Sequence, residues 1–142
     1  MRIEAETELI ATRPDAWALL AEPHHLSDWW PGYASVRPDR RGLAEGARWE
    51  VVRGGDVGLL KRPGGEGLIV ITAVEPERRL AWQDLQQAFA AEIRLDPAGE
   101  GNTRATLVID ASTWRAIAEG LRPLPRKALA RLHALCQTAA TL

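Results

Sequence analysis

Apolar and polar residues alternate along much of this chain, and that pattern favours half-buried antiparallel strands. Residues 2–10 alternate strictly, with charged side chains on one face and Ile3, Ala5, Thr7 and Leu9 on the other. Further strands are predicted at 34–39, 47–51, 68–74, 80–85, 89–96 and 105–110, with a short one near Val57–Arg62 between two Gly-rich turns. The chain therefore predicts an antiparallel sheet of six to seven strands.

Other segments carry helix signals instead. Thr12, Pro14 and Asp15 provide a cap, an early proline and a first-turn acid, which start a helix. Pro23 ends that helix and opens a second short one that reaches about Trp29, while residues 113–121 predict a turn or short helix. From Pro125 onward, helical spacing is shown by Leu129, Leu132, Leu135, Cys136 and Ala139.

The predicted fold is α+β, with the curved sheet wrapped around the long C-terminal helix and two short helices between strands 1 and 2. A helix about 10–12 Å wide cannot fill the concavity of a wide, curled sheet. We therefore expect a pocket between sheet and helix. The 142 residues contain no linker or internal repeat, so one domain over 1–142 is expected.

Trp29 and Trp30 are adjacent and are followed by Pro31-Gly32. Successive side chains point about 100° apart on a helix and to opposite faces on a strand. We therefore expect at least one of the two indoles to face a cavity, a partner or solvent. Pro31 favours extended geometry at Trp30, which places the pair at a helix-to-strand junction.

Composition excludes several classes of function. The net charge of −1 does not favour a general attraction to nucleic acid or to anionic lipid. The single cysteine excludes an internal disulfide and a cysteine zinc cage. No apolar run is long enough for a membrane span, and the N-terminus does not resemble a signal peptide, so a cytoplasmic protein is expected. The Gly-rich turns lack phosphate-binding patterns, and no cofactor is expected.

The order of elements resembles the START-like (SRPBCC, helix-grip) superfamily, in its polyketide cyclase/dehydrase and lipid-transport branch. The residues that carry the resemblance are Trp17, Trp29-Trp30-Pro31, Val74-Glu75-Pro76, Arg79-Leu80-Ala81-Trp82 and Thr103 to Leu107. Members of this superfamily bind apolar or aromatic small molecules in a central cavity, and some are enzymes. The resemblance thus implies a single START-like domain whose partner is a small hydrophobic or aromatic ligand.

Aromatic side chains are the candidate wall of that cavity. Trp49 and Trp82 fall on the inward-facing positions of their strands, where a cavity wall and an ordinary core are equally consistent with the pattern. The predicted ligand-binding residues are Trp29, Trp30, Tyr33, Trp49, Trp82 and Phe89.

Three residues are candidates for acid–base catalysis. Asp84 points inward if Leu80 and Trp82 do, and a buried carboxylate can act as an acid or base; alternatively the strand ends there and Asp84 is solvated. His24 and His25 titrate near neutrality, although an exposed pair on a short helix is the simpler interpretation. Adjacent histidines diverge and have no third ligand nearby, so no metal site is predicted.

These observations leave three hypotheses. The leading one is a protein that binds a small hydrophobic or aromatic molecule between the sheet and the C-terminal helix. The second is a cyclase/dehydratase-type enzyme with an acid or base in the same cavity. The third is an interaction module similar to the Hsp90-activator relatives of the fold, which predicts Trp29 or Trp30 in an exposed apolar patch.

Overall fold

A computed structural model describes residues 1–54 and 65–140. Within these ranges the strands are β1 (Arg2–Leu9), β2 (Tyr33–Arg37), β3 (Arg48–Arg53), β4 (Glu66–Glu75), β5 (Arg79–Asp84), β6 (Phe89–Ala98) and β7 (Asn102–Ala111). The helices are α1 (Arg13–Ala21), α2 (Leu26–Trp29), α3 (Thr113–Ala118) and α4 (Leu124–Ala140), with a short 3₁₀ helix at Pro23–His25. The short strand predicted near Val57–Arg62 lies outside the described residues.

The strands form one antiparallel sheet in the order β1-β7-β6-β5-β4-β3-β2. Its register shifts once in β4, between Ile71 and Ala73, and once in β2, between Tyr33 and Ser35. Irregularities of this kind bend strands and increase their twist. Helices α1 and α2 lie between β1 and β2 in the chain, and α4 follows the sheet. The predicted helix-grip architecture, with its sheet, its long C-terminal helix and its short helices, is confirmed.

Local sequence signals account for the helices between β1 and β2. Thr12 is the N-cap of α1, and its side chain accepts a hydrogen bond from the backbone N–H of Asp15 at 3.3 Å. Pro23 begins the 3₁₀ helix that separates α1 from α2, because proline tolerates the first turn of a helix and not its interior.

Helix α4 packs on the sheet through one apolar stripe. Of the positions predicted for this stripe, Leu129, Leu132 and Cys136 are buried, Leu135 is half-buried and Ala139 is exposed. Pro125 and Ala128 are also buried. The helix lies chiefly against β1, with further contacts to α2 and β7. On the strands, the buried residues alternate with exposed ones, so that the sheet has one inner face toward α4 and one outer face. Among the described helices, none is long and apolar enough to cross a membrane.

Candidate functional site

Both indoles of the adjacent tryptophan pair are buried. Trp29 is 1% exposed and Trp30 is 0% exposed. Their rings meet edge to face with centroids 6.0 Å apart. The expectation that one of them faces solvent, a partner or an open cavity is wrong. The exposed Trp29 or Trp30 patch that the interaction-module hypothesis requires is likewise not formed.

The backbone at the junction explains how both rings reach the interior. Trp29 ends α2, whereas Trp30 is its extended cap with φ −89° and ψ 113°. The residue before a proline is held in this extended region, and Pro31 follows Trp30. The chain therefore changes direction between the two residues, so neither the helical nor the strand relation between neighbouring side chains applies to them.

Five rings form what we call the aromatic cluster: Trp29, Trp30, Tyr33, Trp82 and Phe89. Trp30 is at its centre. Its ring stacks on Tyr33 and Phe89 with centroids 5.8 Å away in each case, and it meets Trp82 edge to face at 5.0 Å. Offset-stacked and edge-to-face pairs are the favourable arrangements of aromatic rings.

Two polar atoms inside the aromatic cluster lack a partner. Trp30 Nε1 and Trp82 Nε1 are buried and make no hydrogen bond within the described structure. An N–H group buried without an acceptor costs about 1–3 kcal/mol relative to the same group in water. Buried donors of this kind are rare in native proteins, and each one calls for a physical explanation. The aromatic cluster therefore has two donor positions available to an acceptor.

Trp49 is buried but lies apart from the aromatic cluster. Its Nε1 donates a hydrogen bond of 2.7 Å to the carbonyl oxygen of Gly42, in the connection between β2 and β3. It makes no ring contact with another aromatic side chain of the described residues. Strand alternation predicted its inward face correctly, yet the structure does not bring it together with the other five predicted ligand-binding residues.

Asp84 is 0% exposed and lies at the end of β5, where alternation predicted an inward side chain. The solvated alternative is excluded. Its Oδ2 accepts a hydrogen bond of 2.8 Å from the Tyr33 hydroxyl. Its Oδ1 accepts from the backbone N–H groups of Gln86 at 3.0 Å and Gln87 at 2.8 Å, in the turn before β6. The carboxylate thus ties the start of β2 to the β5–β6 turn.

Burial raises the pKa of Tyr33 well above its ordinary value, and the negative charge of Asp84 and its hydrogen bond raise it further. The Trp82 indole and the Arg53 cation lower that pKa more weakly, because a donor and a positive charge stabilise a phenolate. Trp82 Nε1 is thus near the Tyr33 hydroxyl, although the two groups do not have the geometry of a hydrogen bond. Tyr33 is a neutral phenol at physiological pH and acts as a donor.

The two candidate histidines lie on the 3₁₀ helix, outside the aromatic cluster. His24 is exposed, and its backbone N–H bonds to the Glu22 carboxylate. His25 is half-buried, with Nδ1 3.2 Å from the carbonyl oxygen of Leu19. Neither histidine is a hydrogen-bond partner of Tyr33 or Asp84. The catalytic roles of all three predicted residues stay predictions. The described ranges contain no group of three acidic, histidine or cysteine side chains arranged for a metal ion.

The interior differs from the expected open pocket. Three depressions in the described part of the chain are lined mainly from the outer face of the sheet. One of them, of about 260 Å³, lies among Arg79, Glu92 and Arg94. On the inner face, five of the six residues predicted to line a cavity contact one another in the aromatic cluster instead.

Sequence reasoning missed one feature, an exposed apolar face on α3. Trp114 is 76% exposed and Ile117 is 65% exposed, whereas Ala116 on the opposite side is buried. The helix is fixed at its end by Glu119, whose carboxylate accepts a hydrogen bond from Gln87 Nε2 at 3.2 Å. The i, i+3 spacing of Trp and Ile in a stretch with few other apolar residues was the available signal.

Comparisons with known proteins agree with this architecture. A model of the family described as "Polyketide cyclase / dehydrase and lipid transport" matches residues 1–137. A comparison with curated protein sequences finds no match.

Several solved structures share the fold at low sequence identity. Protein NE0264 from Nitrosomonas europaea is 21% identical, with a TM-score of 0.75, and the match covers 100% of this chain and 97% of that one. The protein XoxI from Bacillus cereus is 11% identical, with a TM-score of 0.73 over 96% and 95% of the two chains. An AHSA1-like protein from Aeromonas hydrophila is 17% identical, with a TM-score of 0.67 over 95% and 94%.

Proposed function

Because the chain belongs to the polyketide cyclase/dehydrase and lipid-transport family of START-like proteins, we propose that it binds a small aromatic or apolar molecule that carries a hydrogen-bond acceptor. The molecule binds within the aromatic cluster, between the sheet and α4. The observation that carries this proposal is the pair of buried, unpartnered indole N–H groups of Trp30 and Trp82.

The proposal rests on the difference in free energy between a buried indole N–H that has a hydrogen-bond acceptor and one that has none. A ligand carbonyl that accepts from Trp30 Nε1 recovers the hydrogen bond that this group lost on burial, while its apolar body replaces ring contacts with Phe89 and Trp82. A ligand without an acceptor gains only the free energy of burying its apolar surface. Sites of this kind are mostly apolar, and a few polar groups fix the orientation of the ligand.

The closed interior has a kinetic consequence. Since the rings of the aromatic cluster contact one another, a ligand must displace at least one of them to enter. Association is then slower than docking to an open cavity, because binding includes a conformational change. Stopped-flow measurement of Trp fluorescence is expected to give a rate that levels off at high ligand concentration.

A matched pair of probes tests the proposal. Acetylnaphthalene has an aromatic body and a carbonyl, whereas isopropylnaphthalene has almost the same shape and no acceptor. Calorimetry is expected to show that acetylnaphthalene binds at least about tenfold more tightly. Trp30→Phe removes the donor and keeps a ring, so this preference is expected to shrink in that variant. Trp49→Phe changes a buried indole outside the aromatic cluster and is expected to keep it. Equal affinities for the two probes, or no binding of either, contradict the proposal.

An acid–base enzyme is the second candidate, and the buried Tyr33–Asp84 pair favours it. A neutral phenol can donate a hydrogen bond to a substrate carbonyl while the adjacent Asp84 carboxylate takes a proton from the neighbouring carbon. Return of that proton to the departing β-hydroxyl group then releases water and leaves a carbon–carbon double bond. The test is dehydration of the β-hydroxyketone formed from acetone and benzaldehyde, followed by the absorbance of the conjugated product. Asp84→Asn is expected to abolish the reaction, and His24→Gln and His25→Gln test the other two predicted groups. A rate equal to that without protein rejects this candidate.

A further inference from the structure

Exposed large apolar side chains are concentrated at one end of the molecule. In the described ranges, five of the six lie at the end of the sheet that contains the β5–β6 turn: Met1, Val52, Leu85, Trp114 and Ile117. The strand registers place them there, because Arg2 pairs with Asp110, Phe89 with Ala111 and Asp84 with Phe89. The same end continues into β4, where Ile69 pairs with Asp84, and into β3, where Val52 pairs with Glu66. The sixth, Ile10, follows the opposite end of β1. We call this end of the sheet, together with α3, the apolar end.

The exposure of Trp114 belongs to a helix that is fixed in place. Ser112 caps α3 by accepting from the backbone N–H of Arg115 at 3.2 Å. Ala116 packs into the core, and Glu119 is held by Arg53 at 3.6 Å and by Gln87 at 3.2 Å. The apolar face of α3 therefore points outward because the opposite face is anchored.

Cations predominate beside this face. The stretch from Asp110 to Ala128 contains two acids, the exposed Asp110 and Glu119, and Glu119 is already paired with Arg53 and Arg115. The same stretch contains four cations, Arg115, Arg122, Arg126 and Lys127, all of them exposed. A backbone hydrogen bond from Leu121 N–H to the Ala116 carbonyl keeps the following residues close to α3. The local charge is thus positive, although the net charge of the whole chain is −1.

We propose that the apolar end docks on an anionic lipid bilayer surface. Trp114 and Ile117 enter the headgroup region, and the neighbouring cations face the lipid phosphates. Tryptophan favours this interface because its ring is large and apolar while its N–H stays hydrated. Basic residues next to such an anchor are attracted by the negative potential of an anionic leaflet. The proposal does not depend on the ligand proposed for the aromatic cluster.

Vesicle flotation tests the docking. The full chain is mixed with vesicles of phosphatidylcholine alone and with vesicles of equal parts phosphatidylcholine and phosphatidylglycerol. Binding is expected only to the anionic vesicles, and it weakens as salt is added. The Trp114→Ser/Ile117→Ser variant is expected to bind at least about tenfold less, since it loses the inserted apolar surface. Ile10→Ser removes an exposed apolar side chain at the opposite end and is expected to bind like the wild type.

Two further measurements sharpen the test. Replacing Arg126 and Lys127 with serine is expected to weaken binding on the order of tenfold or more, because each cation contributes separately near an anionic surface. Brominated phosphatidylcholine in the anionic vesicles is expected to quench Trp emission in the wild type and less in Trp114→Phe. Absence of binding, equal binding to neutral vesicles, or equal loss in Ile10→Ser overturns the proposal. It is also overturned if the Trp114→Ser/Ile117→Ser variant instead abolishes a concentration-dependent dimer, since the surface is then a contact between copies of the chain.

Discussion

Replacing a single indole with phenylalanine tests whether the donor of Trp30 is unsatisfied. Trp49 is the matched comparison, because both side chains are at most 1% exposed. Either substitution removes the same atoms from a packed interior, so the loss of contacts and the remaining cavity are similar in kind. The two variants differ in whether the indole N–H that they remove makes a hydrogen bond. Trp49 Nε1 donates to the Gly42 carbonyl at 2.7 Å, whereas Trp30 Nε1 has no acceptor in the described structure.

The expected difference follows from these contacts. Trp49→Phe loses a hydrogen bond whose net contribution is about 0.5–1.5 kcal/mol. Trp30→Phe instead removes a buried N–H whose desolvation costs roughly 1–3 kcal/mol, and this relief offsets part of its cavity cost. The free energy of unfolding of Trp30→Phe should therefore exceed that of Trp49→Phe by about 1.5–4.5 kcal/mol.

Urea denaturation of the ligand-free variants measures this difference. The slopes must agree between the two variants, since a change in slope reports a change in the unfolded or native ensemble instead of stability. Equal stabilities, or a less stable Trp30→Phe, would refute the reasoning, because the Trp30 N–H would then have an acceptor or the two cavities would relax differently. Such a result would also remove the principal support for an acceptor-carrying ligand.

Three further predictions concern the residues around Asp84 and the chain's single thiol. Asp84→Asn should destabilise the fold by roughly 2–4 kcal/mol in denaturant titrations, because an amide cannot accept all three hydrogen bonds that the buried carboxylate accepts. Ala88 has φ 55°, so Ala88→Gly should raise the free energy of unfolding by about 0.5–1 kcal/mol, and a loss would contradict a strained turn. Burial raises the pKa of Cys136 from 9.0 to about 11 and that of Tyr33 well above its ordinary value. Above pH 9 the unfolded chain then binds fewer protons than the native state, so stability should fall as pH rises, and Cys136→Ala should fall less between pH 9 and 11.

The sequence was sufficient for the fold because its signals are local and mutually consistent. The alternation in β1, the Thr12 cap and the interruption at Pro23 each depend on near neighbours. The apolar stripe of α4 around Leu129 and Leu132 must be buried against another apolar surface, and the sheet has such a surface on its inner face. Each element could therefore be predicted before its partners in space were known.

The site was less predictable because it depends on directions that no periodicity encodes. The backbone between Trp29 and Trp30 follows neither the helix nor the strand period. The expectation that neighbouring side chains point in different directions therefore failed for this pair. Trp49 and Trp82 both face inward, yet only the ring of Trp82 reaches the aromatic cluster, while that of Trp49 bonds to Gly42. The pairing of Tyr33 with Asp84 joins residues 51 positions apart, and only the register of the two intervening strands, β3 and β4, brings them together.

The pairing of β1 with β7 has a consequence for how the chain folds during synthesis. Arg2 lies opposite Asp110 and Leu9 opposite Thr103, so the first strand has no sheet partner until β7 has been made. Closing so long a loop is entropically costly, and folds dominated by such contacts form slowly. While it waits, the nascent strand exposes Glu4, Glu6 and Glu8 along one face, and charges of this kind oppose pairing with other chains. The acidic face of β1 thus protects the strand that is made first and paired among the last.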